Sequence, residues 1–122
     1  FVVNALPLTK ETAGIVGAAE LAGMKPHAVI VNIGRGATFD EAALIEALNS
    51  GRIAAAALDV FAQEPLPSES PLWGVDNLLL SPHISGFMPG HNELVTDLFS
   101  ENIRRYLDNE PLLNRVRPEL GY

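Results

Sequence analysis

Apolar positions cluster in four short runs along the chain. Phe1 to Leu6, Ala28 to Ile33, Ile53 to Val60 and Asn77 to Ser81 are near-continuous rather than alternating. Such runs predict parallel strands buried on both faces. The third run is alanine-rich, from Ala54 to Ala57. Propensity alone would allow a helix there, and brevity between two turn signals favours a strand. Helical patterns alternate with these runs. Glu11 to Met24 predicts a short helix interrupted by Gly14, Gly17 and Gly23. Asp40 to Asn49 is clearer: Asp40 suits an N-cap, Leu44, Ile45 and Leu48 share one face, and Gly51 suits the position after the last turn. The longest helix is expected from Asn92 to Leu107. Its stripe is Leu94, Val95, Leu98, Phe99, Ile103, Tyr106 and Leu107. Gln63 to Pro71 holds three prolines and reads as a loop, and Glu110 to Tyr122 reads as an extended tail. The order of elements predicts βαβ units, hence an α/β fold with an open parallel sheet and right-handed crossovers.

In such a sheet, ligands bind beyond the carboxyl ends of the strands. Four segments fall there: Leu6-Pro7-Leu8-Thr9, Asn32-Ile33-Gly34-Arg35-Gly36, Leu58-Asp59-Val60 with Gln63-Glu64-Pro65, and Ser81-Pro82-His83-Ile84-Ser85-Gly86. An arginine, two carboxylates and a histidine are thereby expected on one rim. Glycines on both sides of Arg35 allow a tight turn and close approach to a ligand. A guanidinium there can clamp a carboxylate through two hydrogen bonds. The plain alternative is a turn arginine, capping a helix or paired with a surface acid. His83 beside a carboxylate would act as a general acid near neutral pH, with Glu64 the natural partner. The plain alternative is two solvated loop residues. Asp59 at a strand end would accept a hydrogen bond from a ligand amide, or serve as an N-cap or turn aspartate. His27 precedes a strand, on the opposite edge. His91 sits in a Pro-Gly-His-Asn turn. Both read as surface histidines.

Composition narrows the partners. The chain has 122 residues, enough for one domain or a piece of one. Its net charge is −7, from 8 Lys+Arg against 15 Asp+Glu, which disfavours non-specific nucleic-acid binding and docking on anionic membranes. It has no cysteine, which excludes disulfides, thiolate metal sites and cysteine nucleophiles and fits a cytoplasmic location. No metal site is expected. No run approaches the roughly 18 apolar residues of a membrane span, and no signal peptide is recognisable. The chain opens inside a strand-like run without Met, so a fragment of a longer chain is expected.

The motifs together resemble the D-isomer-specific 2-hydroxyacid dehydrogenase family. They are Leu6-Pro7-Leu8-Thr9 with Glu11-Thr12, Asn32-Ile33-Gly34-Arg35-Gly36, Asp40-Glu41 with Ala43-Leu44, Leu58-Asp59-Val60-Phe61, Glu64-Pro65, Ser70-Pro71-Leu72-Trp73 and Pro82-His83. They run in family order over about residues 1 to 86. Asn102, Arg105-Tyr106, Glu110-Pro111-Leu112 and Gly121-Tyr122 resemble family tails. The resemblance implies a partial Rossmann fold, the second half of a doubly wound NAD(P)-binding domain over residues 1–86. A long C-terminal helix and tail over residues 87–122 would pack on an absent substrate domain. It also implies hydride transfer between NAD or NADP and a small D-2-hydroxy acid or 2-oxo acid. Arg35 would bind the acid's carboxylate and carbonyl. His83 would exchange the proton, and Glu64 would position His83 and keep its pKa raised. Asp59 would contact the nicotinamide carboxamide. Leu6, Pro7, Ile33, Gly34, Arg35, His83, Ser85 and Gly86 would line the cofactor.

The departures from the family pattern are equally informative. No Gly-x-Gly-x-x-Gly run follows a strand, so the pyrophosphate cradle is missing. The strand that separates NAD from NADP is missing as well. The isolated chain is therefore expected to have little dehydrogenase activity, as an inert fragment of an enzyme. An unpaired edge on the first strand would invite pairing with a second copy, giving a homodimer. A non-catalytic, cofactor-sensing relative is the competing reading, and the joint presence of Arg35, Glu64 and His83 favours the enzyme. Within the family the sequence resembles the glyoxylate/hydroxypyruvate reductase group more than phosphoglycerate dehydrogenase.

Overall fold

The computed structural model describes residues 1–119. Four strands, β1 (Val2–Asn4), β2 (Val29–Asn32), β3 (Ala55–Leu58) and β4 (Leu78–Leu80), form one sheet in the order β1-β2-β3-β4. Every neighbouring pair is parallel. The alanine run is thus a strand, with ladder partners on both sides that propensity does not register. Three helices join them: α1 (Ala18–Gly23), α2 (Glu41–Asn49) and α3 (His91–Leu107). No α-helix lies between β3 and β4; the proline-rich loop crosses there, with one 3₁₀ turn at Pro71–Gly74.

The register sets where the chemistry can lie. Asn4 pairs with Asn32, Asn32 with Leu58, and Leu58 with Leu80. These four residues form one row across the sheet at its carboxyl edge. The four loops beyond them consequently begin side by side.

The core lies on one face of the sheet. Ile30, Ala56 and Leu58 alternate with half-buried neighbours and pack with Leu21 of α1 and Leu44, Ala47 and Leu48 of α2. The opposite face carries exposed Val3 and Leu79. Burial on both faces, expected from the continuous apolar runs, does not hold in this unit, because α1 and α2 contribute to one core only. The β1 edge is also open, with Phe1 and Val2 exposed.

Two helices depart from their sequence patterns. Only the second half of the Glu11–Met24 segment is helical. The Val16 amide donates to the Thr38 carbonyl at 3.1 Å, and the Asp40 amide donates to the Val16 carbonyl at 2.9 Å. These bonds pull residue 16 into extended pairing with Phe39, and Gly14 turns the chain at φ 63°. His91, expected in a turn, is instead the first residue of α3, because Gly90 supplies the cap with φ 78°. The α2 ends are as expected: the Ala43 amide donates to the Asp40 carboxylate at 3.1 Å, and Gly51 follows the helix at φ 68°.

A second compact unit starts at Gly86. Leu94, Val95, Phe99, Ile103, Tyr106 and Leu107 of α3 are all exposed. Arg104 and Arg105 pair with Glu101 along the helix. The following segment is not simply extended: the Leu113 amide donates to the Asn102 side chain at 2.8 Å and folds it back on α3. Gly121 and Tyr122, noted for their family-like ending, lie outside the described residues.

Candidate functional site

The carboxyl edge carries two anchored loops. The first holds Arg35. A buried cluster of uncharged side chains supports it: the Asn4 amide donates to Asn32 Oδ1 at 2.8 Å and to Thr38 Oγ1 at 2.7 Å. Asn32 accepts from the Gly34 amide at 3.1 Å and donates to the Arg35 carbonyl at 3.2 Å. The Thr38 hydroxyl donates to the same carbonyl at 2.6 Å. Every donor so placed finds an acceptor, which is what burial of polar groups requires. Asn4 and Thr38 were not singled out from the sequence, and Asn32 was read only as the start of the Arg35 segment, without a role. The register that pairs Asn4 with Asn32 gives them one.

The glycines beside Arg35 have a reason other than the ligand approach read from the sequence. A Cβ on Gly34 would come within 2.6 Å of the Leu6 carbonyl oxygen. A Cβ on Gly36 would come within 1.8 Å of the Phe61 carbonyl carbon. Both glycines therefore admit neighbouring backbone, from the loops after β1 and β3. Arg35 itself is exposed between them. One guanidinium nitrogen donates to the Gly34 carbonyl at 2.7 Å. Among the described residues, none of the ion pairs involves Arg35, which removes the surface-pair alternative.

The second loop holds His83. Its Nδ1 lies 2.7 Å from Glu64 Oε2, and the other oxygen of Glu64 accepts from the Phe61 amide at 2.9 Å. The hydrogen bonds from His83 and then the Phe61 amide, with the positive charge of Arg35 adding to them, hold the Glu64 carboxyl below its usual range. An ionised carboxylate only accepts, so Nδ1 carries the proton and Nε2 is the ring nitrogen left for a ligand. The alternative of two independently solvated residues is gone. Asp59 is buried and takes three donors: the Ser81 hydroxyl, the Ile84 amide at 2.9 Å and the Ser85 amide at 2.8 Å. Burial would raise its pKa, and the hydrogen bonds from Ser81, Ser85 and Ile84 outweigh that and hold it well below the carboxylate range. Ser81 was placed on the rim from the sequence, without a role.

A cleft of about 720 Å³ opens beside this pair. Phe61, Pro65, Leu66, Trp73, Leu80 and Pro82 give it apolar walls, with Glu64 and His83 at its polar margin. Leu6 and Ile33 expose further apolar surface past β1 and β2. His27 is exposed at the amino end of β2, away from this edge. Gly86 opens the second unit.

Known proteins share this fold. The sequence profile described as "D-isomer specific 2-hydroxyacid dehydrogenase, NAD binding domain" matches residues 1–85. The chain belongs to that family. A D-isomer specific 2-hydroxyacid dehydrogenase from Xanthobacter autotrophicus Py2, solved with NADPH and MES, superposes with a TM-score of 0.90 at 49% identity, over 99% of this chain and 49% of that one. An NADPH-dependent glyoxylate/hydroxypyruvate reductase from Sinorhizobium meliloti, solved with NADP and sulfate, superposes with a TM-score of 0.90 at 34% identity, over 98% of this chain and 39% of that one. Glyoxylate/hydroxypyruvate reductase B of Pectobacterium carotovorum is 42% identical over 120 residues, which are 98% of this chain and 38% of that protein. The chain thus spans well under half the length of the curated relatives it matches. Its fold is the Rossmann-like, all-parallel sheet of these NAD-binding domains.

The residues present fit the nicotinamide end of a dinucleotide. Exposed Leu6 and Ile33 provide apolar surface suited to a flat ring, next to the polar groups of the rim. The sequence contains no glycine-rich phosphate loop of the Gly-x-Gly-x-x-Gly type.

Proposed function

We propose that the complete protein is an NAD(P)-dependent oxidoreductase of small D-2-hydroxy and 2-oxo acids, similar to glyoxylate/hydroxypyruvate reductases. The observation that carries this reading is the 2.7 Å His83–Glu64 pair on the same sheet edge as Arg35, which forms no ion pair among the described residues. Arg35 binds the carboxylate of the acid, using the guanidinium donors not folded onto Gly34. His83 gives the Nε2 proton to the carbonyl oxygen during reduction and takes it back during oxidation. Glu64 holds the imidazole by Nδ1, so that Nε2 alone faces the substrate. Bound reduced nicotinamide supplies the hydride that completes the 2-hydroxy acid. Leu6, Pro7, Ile33, Gly34, Arg35, His83 and Ser85 would line its ring, and Asp59 would contact its carboxamide. The reaction takes place in the cytoplasm, and the 122-residue chain by itself pairs with a second copy through its open β1 edge.

Absorbance in the reduced-nicotinamide band tests this. The complete protein is given NADH or NADPH with glyoxylate, hydroxypyruvate or pyruvate. Oxidation with at least one pair is expected, and none with any pair would sink the reading. The 122-residue chain alone is expected to be inactive. Light scattering of the 122-residue chain is expected to give twice the monomer mass, and a monomer at high concentration would refute the pairing through β1.

A further inference from the structure

His83 adopts a backbone conformation that side chains other than glycine rarely take. Its φ is +55°, in the left-handed region. That region is uncommon for non-glycine residues, histidine adopting it more often than most, and it is kept where surrounding groups hold it. One group touches the chain on both sides of His83. The Ser81 hydroxyl donates to Asp59 Oδ1 from two residues before. The Ile84 amide donates to the same oxygen at 2.9 Å, immediately after His83. The Ser85 amide donates to Oδ2 at 2.8 Å. The turn closes on itself as well, with the His83 amide donating to the Ser81 carbonyl at 3.1 Å. Asp59 is in turn fixed to the sheet by its own amide, which donates to the Asn32 carbonyl at 3.0 Å. Only 4% of Asp59 is exposed, so its carboxylate relies on these donors rather than on water.

We infer that Asp59 is a positioning residue for His83: its buried carboxylate grips the chain before and after the histidine and holds the left-handed turn that presents the imidazole to Glu64. A charged acceptor suits this work, because hydrogen bonds to a carboxylate are shorter and stronger than neutral ones. Two acids then divide the work on one histidine. Glu64 fixes the ring and Asp59 fixes the backbone beneath it. Ser81 extends the grip from the chain before His83. The inference rests on His83 being the acid/base group proposed above.

The test uses the complete protein and the variants Asp59→Asn, Ser81→Ala and Ser81→Thr. Hydrogen exchange of the peptide carrying Ile84 and Ser85 is expected to speed up in Asp59→Asn and, to a smaller degree, in Ser81→Ala. Misplacing a reacting group by about 1 Å costs on the order of a hundredfold in rate. Asp59→Asn is expected to lower kcat by that factor and Ser81→Ala by roughly tenfold. Ser81→Thr, which keeps the hydroxyl, restores the rate. KM for the acid and the dinucleotide Kd of Ser81→Ala stay within about twofold of wild type, well below its loss in kcat. Unchanged exchange in Asp59→Asn, or an unchanged kcat in Ser81→Ala, overturns the inference. So does an Asp59→Asn effect confined to the dinucleotide Kd. Wild-type protein inactive with every acid would sink the functional reading alone, while exchange still decides whether Asp59 holds the turn.

Discussion

The loop carrying Arg35 is held by neutral groups, and the loop carrying His83 by two carboxylates. Beneath Arg35, Asn4, Asn32 and Thr38 bond one another and the backbone, and Gly34 and Gly36 let adjoining backbone close in. Around His83, Asp59 takes three donors and Glu64 takes the ring and the Phe61 amide. A neutral network keeps its strength across pH but tolerates no change of shape. A carboxylate network tolerates some change of shape and depends on remaining ionised. Under the proposed function the first arm presents a permanent cation, which an acidic partner under Arg35 would neutralise, and the second holds a group that would gain and lose a proton.

The comparison can be broken most severely at Gly36. A methyl group there meets the Phe61 carbonyl carbon at 1.8 Å, against backbone that cannot swing aside. Gly36→Ala is expected to cost about 3 kcal/mol or more, read from the denaturant midpoint of the complete protein. A midpoint equal to wild type would show that the two loops can part without penalty.

His83→Ala tests the second arm directly. Turnover is expected to fall by about 10² to 10⁴, with dinucleotide affinity changed far less. Intact turnover in this variant would remove the acid/base assignment.

Asn32→Ala sharpens the first arm. It strips the Gly34 amide of its acceptor and the Arg35 carbonyl of one donor, a loss of about 1–3 kcal/mol in stability. The functional signature is a higher KM for the acid with a smaller change in kcat, since Arg35 binds rather than transfers a proton. A fall in kcat alone would place Asn32 with the other arm.

The smallest effect separates the arms by pH. Glu64 titrates below its ordinary 4.5, first because of the His83 hydrogen bond. A depressed carboxyl contributes its stability fully above the unfolded value and loses it as pH falls through the folded one. Acidification below about pH 4.5 is therefore expected to loosen the His83 ring while the asparagine cluster stays closed. Histidine and asparagine side-chain NMR signals would report the two separately, and simultaneous loss would argue for a single cooperative unit. Glu64→Gln keeps an acceptor and removes the charge. Its reductive rate profile is expected to shift its alkaline limb to lower pH.

Much of this was legible in the chain. The four apolar runs became four parallel strands, and Asp40 and Gly51 bounded α2 where local rules place them. Local signals carry that information because strand runs and caps depend on neighbouring residues only. The early part of the Glu11–Met24 segment was misread for the complementary reason: Val16 bonds to Thr38 and Asp40, which no local pattern contains. The site shows the same division. Arg35, Glu64 and His83 were visible as residue types at the ends of strands. Asn4, Asn32, Thr38 and Ser81 gained meaning only from partners 28, 34 or 22 residues away.

The sequence by itself determined the strand order of the chain, the helix α2 with its caps, the acidic cysteine-free character and the identity of the rim's reactive groups. Each follows from composition or from spacing over a few residues. Only the tertiary structure decided that the glycines meet neighbouring backbone, that Asp59 bonds to the chain on both sides of His83, and that one sheet face in the first unit is left open. Those outcomes depend on register and packing between distant segments, and a linear pattern does not encode which distant backbone a small or charged residue will meet.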